Sequence, residues 1–99
     1  MIRPKLTQVT REKVAYRSGG RCELAFAGCW NGEDLHVHHR KLRRHGDHTP
    51  ENLIHACGHC HTLVHDEVGT AQQMGWLVSE WDDPASVPWL RRGELWDPT

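Results

Sequence analysis

Apolar residues fall in short clusters along this chain, and no run approaches the roughly 18 apolar residues that would span a bilayer. In the first cluster, Val14 and the Ala15/Tyr16 pair give a brief apolar stripe to a helix expected over about residues 11–18. Thr10 is its candidate N-cap, because a threonine hydroxyl accepts from a first-turn N–H. Glu12 adds negative charge where the helix dipole favours it, although Lys13 occupies the place where a capping box needs Glu or Gln. Gly19-Gly20 ends the helix, since glycine accepts the left-handed terminal conformation. Cys22 to Cys29 then brackets a tight knuckle, with Gly28 for its turn. Leu35 to Arg40 alternates apolar and polar residues and predicts a strand. A polar loop from Arg40 to Asn52, containing Gly46 and Pro50, leads to a second short strand at Leu53-Ile54. Gly58 to Val68 predicts a helix of about three turns, stopped by Gly69. Trp76 to Trp81 has the composition of a further strand. The tail from Asp82, with Pro84, Pro88 and Pro98, is expected to be irregular, with Trp89 and Trp96 folding back over the core.

Composition narrows this picture. Ninety-nine residues make a single domain over 1–99 the default, with a core segment at 21–69 and an extension at 70–99. Apolar residues are 37% of the chain, Phe and Tyr occur once each, and five Trp supply most of the large apolar area. So thin a core usually needs a staple, either disulfides or a metal. The N-terminal stretch MIRPKLTQVTREK has no apolar h-region, so export is not expected and a cytoplasmic location is. In a reducing compartment four cysteines read as metal ligands rather than disulfides. The net charge of −1 conceals an asymmetry: residues 1–44 hold ten Lys/Arg against four Asp/Glu, while residues 45–99 hold two against nine. A basic half beside an acidic half suggests an anionic partner on one face, the rival being chance asymmetry on a solvated surface.

Three constellations carry chemistry. Cys57 and Cys60 form C-x-x-C, and Cys22 and Cys29 form a wider pair. Zinc takes four soft ligands in a tetrahedron, and a short pair supplies two of them from one turn. A redox C-x-x-C is the rival, but no βαβ pattern surrounds Cys57. Nine histidines form the second signal. His61 and His65 are spaced i, i+4 on the expected helix and so share a face. His38 and His39 end the expected strand, where one can complete a three-histidine metal site while its neighbour acts as a base. His36, two residues before His38, is an alternative ligand by strand alternation. His45, His48, His55 and His59 read as surface residues. The third signal is Arg40, Lys41, Arg43 and Arg44, four cations beside the histidine pair that suit the phosphates flanking a scissile bond.

The stretch RCELAFAGC…LHVHHRK…ENLIHACGHCHTLVH, covering residues 21–66, resembles the HNH endonucleases, the ββα-metal or His-Me finger class, and especially small phage and bacterial members with a four-cysteine zinc. The resemblance implies a small α+β fold: a ββα-metal core with a four-cysteine zinc knuckle, preceded by an N-terminal helix and followed by a Trp-rich tail. It implies that His39 is the general base and that Asn52 braces the loop and the base. His38, His61 and His65 would bind a catalytic divalent metal (Mg²⁺, Mn²⁺, Zn²⁺, Ni²⁺ or Co²⁺), and Cys22, Cys29, Cys57 and Cys60 a structural Zn²⁺. The gap of six residues between Cys22 and Cys29 departs from the more frequent gap of two, which changes the shape of the knuckle. The expected activity is metal-dependent hydrolysis of DNA phosphodiester bonds in a bacterial host cell, beside a phage packaging or other DNA-processing machine. The alternative is a non-catalytic zinc knuckle that binds nucleic acid or docks on such a machine, although binding alone needs neither His39 nor the His61/His65 pair.

Overall fold

The first helix, α1, runs over Gln8–Ser18, one turn longer than the sequence predicts. Its N-cap is Thr7, whose hydroxyl accepts from the N–H of Thr10. Thr10 is therefore a helical donor and not the cap. Gly19 ends the helix at φ 67°, returning its N–H to Ala15. Val14 and Ser18 are the buried residues of α1, whereas Tyr16 is 93% exposed and takes no part in the stripe assigned to it. This computed structural model describes residues 6–42 and 48–98.

Strand β1, Leu35–His39, pairs antiparallel with β2, Leu53–Cys57, in a register that sets His38 against Ile54 and His39 against Leu53. The buried position on β1 is His38, not Val37. Helix α2, Gly58–Asp66, follows β2 without a loop, because Cys57 is both the last strand residue and the N-cap: its sulfur accepts from the N–H of Cys60. Cys60 and Val64, one turn apart, face the core. The helix stops at Glu67, where ψ is 65°, rather than at Gly69, which lies inside a third helix, α3 (Val68–Gln73).

The core joins Cys22 and Leu24 of the knuckle to Ile54, Ala56, Val64, Ala71, Trp76 and Trp89. Gly75 allows the last of these to close in: a Cβ there would lie 2.3 Å from the carbonyl oxygen of Pro88, and its φ of 76° is left-handed. Trp76 donates its indole N–H to the Leu90 carbonyl at 2.7 Å. The segment 76–81 is not a strand; it makes one isolated bridge, Lys41 with Val78. The tail is more regular than expected, with a hairpin of β3 (Trp89–Arg91) and β4 (Glu94–Trp96). Trp89 is buried as expected, while Trp96 stays at the surface with the Arg91 guanidinium over its ring.

Glu23 fastens these pieces. It is fully buried, and its carboxylate accepts from Arg17 of α1, from Arg91 of β3 and from the backbone N–H of His55 in β2. Burial alone would raise its pKa, but the Arg17 guanidinium and these donors outweigh that and hold the carboxyl below its usual range.

Candidate metal centres and active site

The β2–α2 junction brings the two cysteine pairs together. The sulfurs of Cys22, Cys29, Cys57 and Cys60 lie within 4.8 Å of one another, and all but Cys29 are buried. Zinc–sulfur bonds of about 2.3 Å in a tetrahedron separate the sulfurs by about 3.8 Å. The Cys29 and Cys57 sulfurs are 3.8 Å apart, so the donor set fits that ion. Burial works against ionising Cys57, yet the N–H groups of Cys60 and Trp30 directed at its sulfur bring it down to about 7. Burial pushes Cys29 and Cys60 up. Four crowded thiols cannot all ionise alone, and a dication is what resolves that conflict.

Residues in and just after the wide gap give the knuckle its shape. Ala25 and Asn31 adopt positive φ, Cys29 donates its N–H to the Phe26 carbonyl, and Cys22 donates to that of Asn31. Gly28, at φ 80°, leaves room for His59, whose Nε2 donates to the carbonyl of Ala27.

One residue beyond Cys60 the histidines converge. His38, His61 and His65 place one ring nitrogen each within 4.8 Å of the others. The His61 and His65 Nε2 atoms are 3.2 Å apart, against about 3.3 Å for two imidazoles on a tetrahedral zinc. His38 Nε2 lies 2.7 Å from the carbonyl of Trp76. A carbonyl only accepts, so Nε2 carries the proton and Nδ1 presents its lone pair. Burial, reinforced by His61 and His65, lowers His38 to about 3, the Trp76 carbonyl opposing. Burial also lowers His61, with His65 and His36 adding to the effect. The cluster grades from buried His38 through half-buried His61 to exposed His65, so one side is open to solvent. His36 stays outside the cluster. It pairs with Asp34 at 3.1 Å, and its ring lies 5.1 Å from that of His61.

His39 is the next residue on β1, on the opposite face from His38. Its Nε2 is 3.0 Å from Nδ1 of His48, so His48 is not the bare surface residue the sequence suggested. His55 likewise is half-buried and bonded to the Ser18 hydroxyl at 2.7 Å. Asn52 is fully buried at the other end of the loop. Its side-chain oxygen accepts from the Lys41 N–H at 2.8 Å, and its carbonyl accepts from the Arg40 N–H. Asn52 thus braces the backbone directly after His39.

Of the basic quartet, Arg40 is not a surface cation. It is fully buried, and its guanidinium donates to the carbonyls of Gly75, Glu51, Pro84 and Val87. Burial lowers it to about 10, which leaves it charged at neutral pH. Lys41 is half-buried, with its ammonium on the Asp82 carbonyl at 3.0 Å. Arg43 and Arg44 lie outside the described residues. Sequence reasoning missed the Arg40 anchor and the Glu23 clamp. No local signal marks either, because decisive partners are distant: Gly75 lies 35 positions from Arg40, and Arg91 lies 68 from Glu23.

Two antiparallel strands leading into a helix, with histidines from strand and helix converging, define a ββα-metal fold. Residues 20–67 match the family model described as HNH endonuclease. That match covers a little under half of the chain and makes the stretch similar to HNH endonuclease domains, a family that is generally of nuclease type and acts on nucleic acid. No curated protein and no solved structure matches the chain. No helix among the described residues is long and apolar enough to cross a membrane.

Proposed function

We propose that this protein is a metal-dependent endonuclease that hydrolyses DNA phosphodiester bonds, acting as one nuclease domain over residues 1–99 in the cytoplasm. The observation that carries the reading is the convergence of His38, His61 and His65 on one point at the open edge of the fold. A structural role needs no such arrangement, since the cysteine cluster already supplies a staple. His38, His61 and His65 would hold a divalent ion, which would supply Lewis-acid charge neutralisation for phosphodiester hydrolysis. Imidazole donors suit Zn²⁺, Ni²⁺, Co²⁺ or Mn²⁺ better than Mg²⁺ on softness grounds.

His39 takes the proton from the attacking water, a task suited to a neutral imidazole. His48, 3.0 Å away, steadies its ring. Asn52 fixes the chain on which His39 sits, and is a positioning residue rather than a chemical one. His38 is fixed in one tautomer by the Trp76 carbonyl. The cysteine cluster, which would hold a structural zinc, anchors the first turn of α2 and so sets the positions of His61 and His65. Neutralising the flanking phosphates falls to Lys41, Arg43 and Arg44, with Arg40 removed from that role by its burial. A packaging or other DNA-processing machine as partner draws no support from the fold or the family match.

Incubating the purified protein with supercoiled plasmid across a panel of divalent ions tests the reading. Nicked or linear product that requires an added ion supports it. Binding without cutting under every ion would leave the non-catalytic knuckle in its place.

A further inference from the structure

A cleft of about 450 Å³ opens beside α2, and His65 forms part of its wall. Its apolar surface comes from Leu42, Val68, Leu77 and Trp81, and Gln72 and Glu80 add polar groups. Three of the apolar residues are well exposed: Leu42 at 54%, Val68 at 45% and Trp81 at 86%. Exposed apolar surface gathered around a concavity marks a binding site more often than scattered residues do. Trp81 does not project from a loose loop. Its N–H donates to the Ser79 hydroxyl, Asp82 donates to the Ser79 carbonyl, Val78 donates to the Arg40 carbonyl, and Lys41 reaches the Asp82 carbonyl. The indole is thus displayed on a turn tied down at both ends.

We propose that this cleft is a nucleobase subsite, in which Trp81 stacks on a base next to the phosphate held at the histidine cluster. The inference rests on the nuclease reading above. His65 is common to both places, so an occupant of the cleft is a direct neighbour of the scissile phosphate. Charge separates a base from a phosphate as the occupant. Arg40 reaches the wall of the cleft, but its guanidinium is taken up by four backbone carbonyls. Among the described lining residues a phosphate would thus meet a guanidinium already engaged, whereas a neutral ring meets an indole and aliphatic walls. The Gln72 amide also suits a base edge, since it both donates and accepts. The volume falls within the range of about 300–1,000 Å³ typical of small-ligand sites. Such a cleft takes a base only once it has left the duplex stack, so the protein should favour unpaired or frayed strands.

The test measures binding apart from cutting. A single-stranded oligodeoxynucleotide carrying 2-aminopurine is titrated against the His39→Ala protein, alone and with Trp81→Ala or Trp81→Phe. Stacking should quench the probe. Trp81→Ala should abolish the quench and weaken binding by about 5- to 150-fold, the range for one base–aromatic stack. Trp81→Phe should keep most of both. The urea midpoint and the divalent-ion affinity should be unchanged by Trp81→Ala, which separates a lost platform from a damaged fold. Equal affinity and equal quenching with Trp81→Ala would overturn the subsite, as would failure of every variant to bind the strand. If wild-type protein cuts plasmid and Trp81 proves irrelevant, the subsite alone fails. If the strand binds through Trp81 and no ion elicits cutting, catalysis alone fails and the subsite stands.

Discussion

Replacing Arg40 with alanine should unfold the protein or bring it close to unfolding, even though Arg40 stands among four cations beside the active-site strand. The guanidinium donates four hydrogen bonds of 2.6–2.9 Å to carbonyls at Glu51, Gly75, Pro84 and Val87. A hydrogen bond to a charged group contributes about 1.5–3 kcal/mol. Four would sum to about 6–12 kcal/mol if independent, but they share one side chain and water can enter the gap, so about 4 kcal/mol is a fair lower expectation. That is a large part of the roughly 5–15 kcal/mol typical of a whole domain. The alanine also removes the side chain that joins the β1–β2 loop to the carbonyls at 75, 84 and 87. Urea unfolding followed by far-ultraviolet circular dichroism, at fixed zinc concentration, measures the loss. Arg40→Lys should fall between wild type and Arg40→Ala, because an ammonium keeps the charge but not the fork. A midpoint equivalent to within about 0.5 kcal/mol of wild type, the range of ordinary surface substitutions, together with a shallower salt dependence of DNA binding, would refute the reasoning. It would return Arg40 to the phosphates.

Purified protein should carry one tightly held zinc per chain, and Cys57→Ser should lose it and aggregate. Structural zinc contributes about 10–16 kcal/mol in finger peptides, so metal content by atomic emission and solubility should fall together. A second expectation concerns acid. His38 is lowered to about 3 in the fold, so unfolding lets it bind a proton, and stability should decline as pH falls below about 6.5 toward that value. Glu23, also lowered, adds stability above its unfolded value that is lost at still lower pH. Urea midpoints across this range should show the His38 part flattened in His38→Gln; an identical pH profile for that variant would count against a buried neutral imidazole.

The two candidate ligand clusters were legible in the sequence because much of their spacing is local. Cys57, Cys60, His61 and His65 lie within nine residues, and helical spacing alone puts the last two on one face. Cys22, Cys29 and His38 were legible as partners by residue type, and the fold brings them in. What escaped was set by distant backbone. Arg40 looks like its neighbours along the chain, and only carbonyls more than thirty positions later distinguish a buried anchor from a surface cation. The sequence reading places the cap at Thr10, and the extra turn of α1 moves that role to Thr7. The tail reads as irregular because of its prolines, yet Pro84 opens a 3-10 turn and Pro88 precedes a strand, both positions where a missing N–H costs little. Trp89 beside Gly75 gives that strand a place in the core, a match that neither residue announces alone.

The most direct test of the account is the single-turnover cleavage rate of supercoiled plasmid by wild-type and His39→Ala protein at saturating divalent ion. Removing a general base that is not a ligand should lower the rate by about 10²- to 10⁴-fold while saturation by the ion is unchanged. Equal rates in the two proteins would contradict the mechanism and remove His39 from the chemistry.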